Sequence, residues 1–374
     1  MTNSHVKYFC FAACFGILFG CTDRGTKKTK QIISEQQIKY TNLSIDTVYV
    51  QLENSSGAGF SSVSNGEMYF FDEYFCHYYP ISIDGKAGNR SIGQGRGPNE
   101  LPINRPLGVT KTNDQLIAFG SSYDAYLFQD LKNTKMINLK VSPTDNTYND
   151  SKLYTFYVPE LILRLQKDKL YVNIYTDAEF FDPIENREKF FKDARILMEI
   201  TIPDGDTRVI GQYSDYYKEN YDKTNHLFGA YYDIDNEGNF HVSFQTDSVI
   251  HIYDPDFNEI KLFGFKGKDM NQNYEKITQY SRENIQKMQN DLNNRGYYYW
   301  YKYNNENKLS FRSYQKGDHS ANDGLQIYDD GILVADVEVP KNFKVEGYMP
   351  PYYVTRIICD EESEKMWFYR FKLD

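Results

Sequence analysis

The sequence has little of what builds a local metal site or a disulfide framework. Its 374 residues include six histidines and five cysteines, and these form no HExxH motif and no close Cys/His cluster. No Gly-x-Ser-x-Gly nucleophile elbow is present either. We therefore assign no catalytic residue, no metal ion and no cofactor from the sequence.

An excess of positive charge is also missing. The chain has 42 Lys and Arg residues against 52 Asp and Glu residues, which gives a net charge of −10. Proteins that bind nucleic acids present clusters of positive charge to the phosphate backbone. The composition therefore gives no support to a nucleic-acid partner.

The N-terminus carries a short apolar run that is typical of a secretory signal. Lys7 precedes 13 apolar residues at positions 8–20, and a polar stretch follows. About 20 apolar residues are needed to span a bilayer, so this run is too short for a stable transmembrane helix. The run ends in LFGC at Cys21, which resembles a bacterial lipobox, where the cysteine is lipidated and becomes the first mature residue. The alternative is an ordinary signal peptide that is cut elsewhere, with Cys21 incidental.

These features predict three regions in the chain. Residues 1–20 form a signal peptide, and residues 21–40 form a lipidated, polar and flexible tether. Residues 41–374 form one folded domain. Because several acyl chains hold a protein to a membrane durably, lipidation at Cys21 would make the attachment effectively permanent.

A repeated pair of β runs indicates the fold of the domain. The 34 Tyr and 25 Phe residues suit half-buried strands, and the first runs of successive pairs start at residues 67, 115, 169, 239, 308 and 365. The intervals are close to the 40 to 50 residues of a four-stranded blade, with insertions in the later copies. The pattern predicts an all-β, six-bladed β-propeller; the alternative is a β-sandwich with a second domain.

Two segments break the β rhythm and predict helical insertions. Asp182 and Pro183 are typical of an N-cap and a first helical position, and residues 274–292 place apolar side chains near helical spacing. We expect these helices either to cap one face of the propeller or to pack on its rim.

A glycine-rich loop carries a resemblance to a known family. The motif within SIGQGRGPNEL (residues 91–101) comprises Gly93, Gly95, Gly97, Pro98, Asn99 and Glu100. It resembles a segment of six-bladed propeller lipoproteins of Bacteroidota, related to TolB-like and NHL-type propellers, in which this loop leaves one blade and enters the next. Glycine permits positive φ and proline fixes the direction of the chain. A nucleotide-binding loop would instead open a helix, so we expect no nucleotide partner.

Several side chains are candidates for recognition or cross-linking. Tyr298, Trp300 and Tyr352 lie in aromatic clusters that suit contact with a sugar or peptide; cross-strand packing is the alternative. Cys76 and Cys359 fall in the first and last blades, which a ring places side by side, and the sequence leaves open whether they form a disulfide.

Three acidic or histidine-containing patterns have structural interpretations. The acidic segment 233–239 lacks the glutamate that an EF-hand needs, and together with Asp204-Gly205-Asp206 it predicts hairpin turns. His241 and His251 lie on neighbouring strands, where they either meet across the pair or serve as half-buried strand residues.

The leading hypothesis is a non-enzymatic binding or scaffold lipoprotein that recognises a protein, peptide or glycan in the cell envelope. The alternative is a propeller hydrolase or lyase that acts on polysaccharide, and fold alone does not choose between them. The resemblance also implies a location: in such families, acidic residues just after the lipidated cysteine accompany surface display. Here Asp23 stands alone among cations, which favours an outer-membrane anchor facing the periplasm.

Overall fold

The computed structural model describes residues 30–374, apart from 113, 141–148, 158–159, 177–183, 225, 280, 361 and 374. The signal peptide and Cys21 therefore lie outside the described residues. Within the described part, all strands belong to six sheets arranged as the blades of a β-propeller, as predicted. No helix in this part is long and apolar enough to cross a membrane.

Three short strands precede the first blade: β1 (Gln31–Ile33), β2 (Gln36–Tyr40) and β3 (Ile45–Val50). Blade 1 then contains β4 (Gly59–Ser64), β5 (Glu67–Asp72) and β6 (Tyr78–Ile81). Blade 2 contains β7 (Gly108–Lys111), β8 (Gln115–Phe119), β9 (Asp124–Gln129) and β10 (Lys132–Asn138). Blade 3 contains β11 (Thr155–Phe156), β12 (Leu163–Gln166), β13 (Lys169–Tyr175), β14 (Leu197–Thr201) and β15 (Thr207–Ile210).

The second half of the ring repeats the pattern. Blade 4 contains β16 (Ala230–Ile234), β17 (Phe240–Phe244), β18 (Ile250–Tyr253) and β19 (Glu259–Phe263). Blade 5 contains β20 (Tyr297–Asn304), β21 (Leu309–Gln315), β22 (Asp323–Asp329) and β23 (Ile332–Val339). Blade 6 contains β24 (Val345–Met349), β25 (Tyr352–Thr355), β26 (Ile358–Asp360) and β27 (Lys365–Phe371).

The first main strand of each blade lies at the centre of the ring. Contacts run from β4 to β7, then through β12, β16, β20 and β24, and return to β4. Each blade packs against a neighbour on both faces, so its middle strands are buried on both sides. The two strands β16 (AYYDI) and β17 (FHVSF) are buried at every residue. This packing explains why so many strands in the sequence contain tyrosine and phenylalanine at consecutive positions.

The segment 31–50, which we call the N-terminal strap, crosses the outer edges of three blades. In parallel orientation, β1 pairs with β19 of blade 4 and β2 pairs with β23 of blade 5. In antiparallel orientation, β3 pairs with β27 and supplies the outermost strand of blade 6. The ring is therefore closed by a strand from the N-terminus bonded to a strand from the C-terminus.

The strap corrects the predicted extent of the flexible tether. Residues 31–33 and 36–40 were assigned to the tether, but they form strands. Both strands bind a sheet edge through their main chain and leave most side chains exposed. Their sequence therefore shows no apolar alternation, which is why the pattern search missed them.

Four α-helices lie between strands in the described residues: α1 (Ile184–Asp193), α2 (Asp215–Glu219), α3 (Tyr221–Thr224) and α4 (Arg282–Asn294). The first predicted helix is present as α1, whereas Asp182 and Pro183 lie outside the described residues. The second begins later than predicted, after the N-cap Ser281, whose hydroxyl accepts the Asn284 N–H. The preceding residues are held as a loop because Ile277 is buried there and its N–H bonds to the Asp222 carbonyl.

Candidate functional site

A cavity of about 690 Å³ opens between blades 3 and 4, and we call it the blade 3–4 cleft. One wall is the chain that leaves β15 and enters α2, and the other is formed by β18 and β19. Its lining combines aromatic rings with ionisable groups, among them Tyr213, Ser214, Tyr216, Asp247, His251, Tyr253, Phe257 and Glu259. Concave sites with apolar walls and a few convergent polar groups are the usual places for ligands.

Four polar side chains of this lining form one hydrogen-bonded group, which we call the His251 cluster: Ser214, Asp247, His251 and Glu259. Ring atom Nε2 of His251 lies 3.0 Å from Asp247 Oδ2, and Nδ1 lies 2.5 Å from Glu259 Oε1. The Ser214 hydroxyl donates to Asp247 Oδ2 at 2.6 Å. The fold assembles the cluster from the residue before α2, the β17–β18 turn and two adjacent strands.

The hydrogen bonds of the cluster stabilise the charged forms of His251, Asp247 and Glu259. Burial disfavours a charged His251 ring, but its hydrogen bonds to Asp247 and Glu259 outweigh burial and raise the His251 pKa above 6.5. Burial likewise opposes ionisation of the two acids, yet their bonds to His251 lower the pKa of both carboxyls. Both ring nitrogens face carboxylate oxygens, so the geometry and these shifts favour an imidazolium between two carboxylates over a neutral ring.

This arrangement does not form a catalytic triad. The Ser214 hydroxyl donates to Asp247 rather than to His251, and an imidazolium bonded on both nitrogens has no lone pair with which to accept a proton. The chemistry that the cluster can offer is fixed charge and hydrogen bonding.

An aromatic stack continues from the cluster along the cleft. The His251 ring stacks on Tyr253 with centroids 6.0 Å apart and an interplanar angle of 10°. Tyr253 in turn stacks on Phe257 at 4.8 Å and 23°. A flat ring wall beside hydrogen-bonding groups can hold a ligand that has both an apolar face and polar edges.

A second cavity of about 210 Å³, the channel cavity, lies among inner strands of blades 1, 2, 3 and 6. Acids at its wall are paired with cations: Arg356 donates to Glu160 at 2.5 Å and to Glu346 at 2.7 Å. Lys344 also bonds Glu160. Burial alone would raise the pKa of Glu160, but these two cations lower it. A general acid for glycoside cleavage needs a raised pKa, so Glu160 is unsuited to that role.

Two of the three predicted ligand-contact aromatics are misplaced. Tyr298 and Trp300 are fully buried, because β20 is covered on both faces by neighbouring blades. The Trp300 indole N–H donates to the Val345 carbonyl at 2.7 Å, so the ring serves packing between blades 5 and 6. Tyr352 is partly exposed, with the Arg370 guanidinium 4.5 Å from its ring centroid, and its role in ligand contact stays a prediction.

The cysteine pair is not joined by a disulfide in the structure. Cys76 is buried in an apolar cluster with Leu101 and Val109, at the contact of blades 1 and 2. Cys359 packs instead on the cluster that contains Met366 and Phe368. Blades 1 and 6 are neighbours, but the two cysteines pack in different apolar clusters.

The glycine-rich motif connects β6 of blade 1 to β7 of blade 2, without a helix among the described residues 82–107. Of its three glycines, Gly95 has a positive φ, +154°, and a Cβ there would lie 2.0 Å from a Glu100 carboxylate oxygen. That carboxylate accepts the Gly97 N–H at 2.7 Å. Glu100 thus organises the loop internally, and Leu101 anchors it in the core.

The structure also shows where the histidine and acidic patterns of the sequence lie. His241 lies opposite Ile252 and His251 lies opposite Val242, so the two rings point to opposite faces of blade 4 and do not meet. Residues 235–239 form the β16–β17 hairpin turn, in which Asp235 accepts the Asn239 N–H. Asp204, Gly205 and Asp206 form the turn between β14 and β15.

Sequence reasoning missed the His251 cluster. Ser214, Asp247 and Glu259 carry no motif, and 45 positions separate the first from the last. The available signal was His251 itself, a histidine inside an otherwise apolar strand followed eight residues later by an acid.

Comparisons with known proteins support the fold. No family model matches the chain, and no curated protein matches it. The chain is similar to the crystal structure of a DUF4221 family member from Bacteroides vulgatus, with 14% identity and a TM-score of 0.62, over 89% of this chain and 99% of that one. It is also similar to a "putative exported protein" from Bacteroides fragilis, with 13% identity and a TM-score of 0.52, over 92% and 100%. At such identities the likeness shows the six-bladed propeller fold alone.

Proposed function

We propose that the protein is a lipid-anchored binding propeller of the bacterial cell envelope that holds a glycan in the blade 3–4 cleft. The observation that carries this proposal is the stack of His251, Tyr253 and Phe257 beside fixed hydrogen-bonding charges. Sugar rings have flat apolar faces rimmed by hydroxyl groups, so they suit such a wall.

The charge of the cleft favours a neutral ligand. Four cationic groups line it: Lys30, Arg195, Lys218 and His251. Four anionic groups balance them: Asp215, Glu219, Asp247 and Glu259. A neutral glycan meets this lining without leaving an uncompensated charge, whereas a strongly charged ligand does not.

The lowered pKa values of the cavity carboxyls argue against a general-acid role for these groups. Carboxyl groups at both cavities, Asp247 and Glu259 in the cleft and Glu160 in the channel, have lowered pKa values. Each is therefore a stable anion rather than a proton donor. The same fixed charges pre-organise a binding surface.

A lipid anchor at Cys21 would bring the cleft near a membrane. Lys30, at the mouth of the cleft, bonds Glu259 at 2.5 Å and follows Cys21 by nine residues. Nine residues span at most about 30 Å, so a protein lipidated at Cys21 would hold its cleft close to the bilayer. We propose that the outer membrane carries this anchor on its periplasmic side.

A glycan array and a polysaccharide panel test the cleft, with a chain that starts at Thr22. We expect retained glycan binding and no depolymerisation. Tyr216→Ala, which removes a partly exposed ring from the cleft, should weaken binding at least tenfold, and Tyr352→Ala on blade 6 should leave it unchanged. The proposal would be contradicted if no glycan bound or if a polysaccharide were depolymerised. It would also be contradicted if Tyr352→Ala weakened glycan binding and Tyr216→Ala did not.

The anchor has a separate test. In cells, Cys21→Ala should move the protein from the membrane to the soluble fraction. Continued membrane association of this variant would rule out lipidation at Cys21.

A further inference from the structure

We infer that the channel cavity binds a small ligand through a single carboxylate group. The inference starts from Arg164 on β12, one of the residues that line the cavity. Its Nε donates to Asp233 at 2.7 Å and its Nη1 donates to the Leu163 carbonyl at 3.0 Å. Its Nη2 is buried and finds no acceptor among the described residues.

A buried donor without an acceptor is costly. A guanidinium carries five N–H donors and cannot lose its charge. A buried polar group that has lost its water and gained no partner destabilises the folded state. A ligand that brings an acceptor to Nη2 of Arg164 would remove this cost.

The charges around the cavity favour an acceptor with one negative charge. Four cationic side chains in or next to the cavity wall form two ion-pair groups: Arg164 and Lys302 bond Asp233, and Lys344 and Arg356 bond Glu160, with Arg356 also on Glu346. Three anionic side chains oppose them: Asp233, Glu160 and Glu346. The group of Arg164, Lys302 and Asp233 sums to +1 and the other group sums to zero. One monovalent anion therefore neutralises the Arg164 group, whereas a divalent phosphate or sulfate would leave it negative.

The shape and the remaining lining specify the ligand further. A planar carboxylate matches the fork of a guanidinium. The hydroxyl-bearing residues Ser62, Thr110 and Tyr69 also line the cavity and can meet polar atoms of the ligand body. Its 210 Å³ corresponds to about seven water molecules at about 30 Å³ each. The site thus fits a carboxylate carried by a small polar body, such as a sugar acid.

Ligand-observed NMR titration of the chain that starts at Thr22 tests this inference, with glucuronate as probe and glucose as its neutral match. We expect glucuronate to bind and glucose at the same concentration not to displace it. Acetate should displace glucuronate and acetamide should not, a comparison that needs no variant. Stronger displacement by inorganic phosphate than by acetate would overturn the assignment to a carboxylate.

Two arginine variants locate the site. Arg164→Lys keeps a cation beside Asp233 but removes the fork, and it should weaken glucuronate binding at least tenfold. Arg208→Lys makes the same change at a pair with Glu199 on the rim of blade 3 and should have no effect. Unchanged glucuronate binding by Arg164→Lys would refute the inference.

The inference is independent of the proposed function. Tyr216→Ala in the blade 3–4 cleft should leave glucuronate binding intact, and Arg164→Lys should leave neutral-glycan binding intact. Loss of both activities in either variant would contradict the assignment of two separate sites.

Discussion

Replacement of His251 by glutamine should destabilise the protein in a pH-dependent way. The ring makes two hydrogen bonds to carboxylates, Asp247 and Glu259. Glutamine can donate to one of them at most, and it carries no charge. Both acids would keep other donors, since Asp247 retains Ser214 and Glu259 retains Lys30.

The magnitude follows from these contacts. A hydrogen bond to a charged group contributes about 1.5–3 kcal/mol, and breaking a buried ion pair costs about 3–5 kcal/mol. Because both carboxylates keep a second partner, we expect a loss of about 3 kcal/mol. With an unfolding entropy of about 2.1 cal/mol/K per residue over about 340 residues, this lowers the Tm by about 4 °C.

The pH dependence has a definite sign. The pKa of His251 is raised in the folded state, so its contribution to stability is fully present below 6.5 and is lost as pH rises through the folded value. The pKa values of Asp247 and Glu259 are lowered, so their contributions are present above 3.8 and 4.5 and are lost on acidification through the folded values. The advantage of the native protein over the variant should therefore be largest between pH 4.5 and 6.5.

Thermal unfolding of the native protein and His251→Gln at pH 5.5 and at pH 9.5 measures this difference. We expect it to be about 4 °C at pH 5.5 and to shrink at pH 9.5. His319→Gln, a substitution of an exposed histidine, serves as the control and should change the Tm little at either pH. An equal Tm difference for His251→Gln at both pH values would refute the reasoning.

Three further predictions concern the frame of the propeller. Arg312→Met removes a fully buried guanidinium that donates to one hydroxyl and three carbonyl oxygens of blade 4. This variant should lower the free energy of unfolding by about 4 kcal/mol in urea titrations. A loss below about 1 kcal/mol would contradict this expectation. Glu100→Ala removes the acceptor of the Gly97 N–H and should cost about 1–2 kcal/mol by the same measurement. A chain that starts at Gln51 loses β3 with two buried valines and should lose roughly 3–6 kcal/mol more than a chain that starts at Thr41; equal thermal stability of the two would show that β3 does not close the ring.

Much of the blade structure was predictable because it is local. The runs that begin at residues 67, 115, 169, 239 and 308 became β5, β8, β13, β17 and β21, the second main strand of five successive blades. Each run and its turn lie within a few residues of one another, so the pattern of apolar residues is sufficient to identify them. The sixth run, at residue 365, became β27, a later strand of blade 6, and the six runs together gave the number of blades.

The predictions of exposed side chains were weaker, because alternation along a strand does not show whether one or both faces of the sheet are covered by neighbouring blades. Tyr298 and Trp300 follow the alternation of an exposed strand, yet both are buried between blades. The N-terminal strap was missed for the opposite reason. Its first two strands bind through main-chain hydrogen bonds. Such bonds require no particular side chains, so these strands show no apolar pattern that could be detected in the sequence.

The sequence by itself determined the class of the fold, the number of blades and the glycine-rich connection, because these depend on residues close together in the chain. Only the tertiary structure decided how the ring closes, which side chains surround His251, and that Arg164 meets Asp233 across 69 positions. These features join residues that are distant in sequence, and their pairing depends on the packing of blade against blade. The candidate sites belong to this second group, since both cavities exist only where separate blades come together.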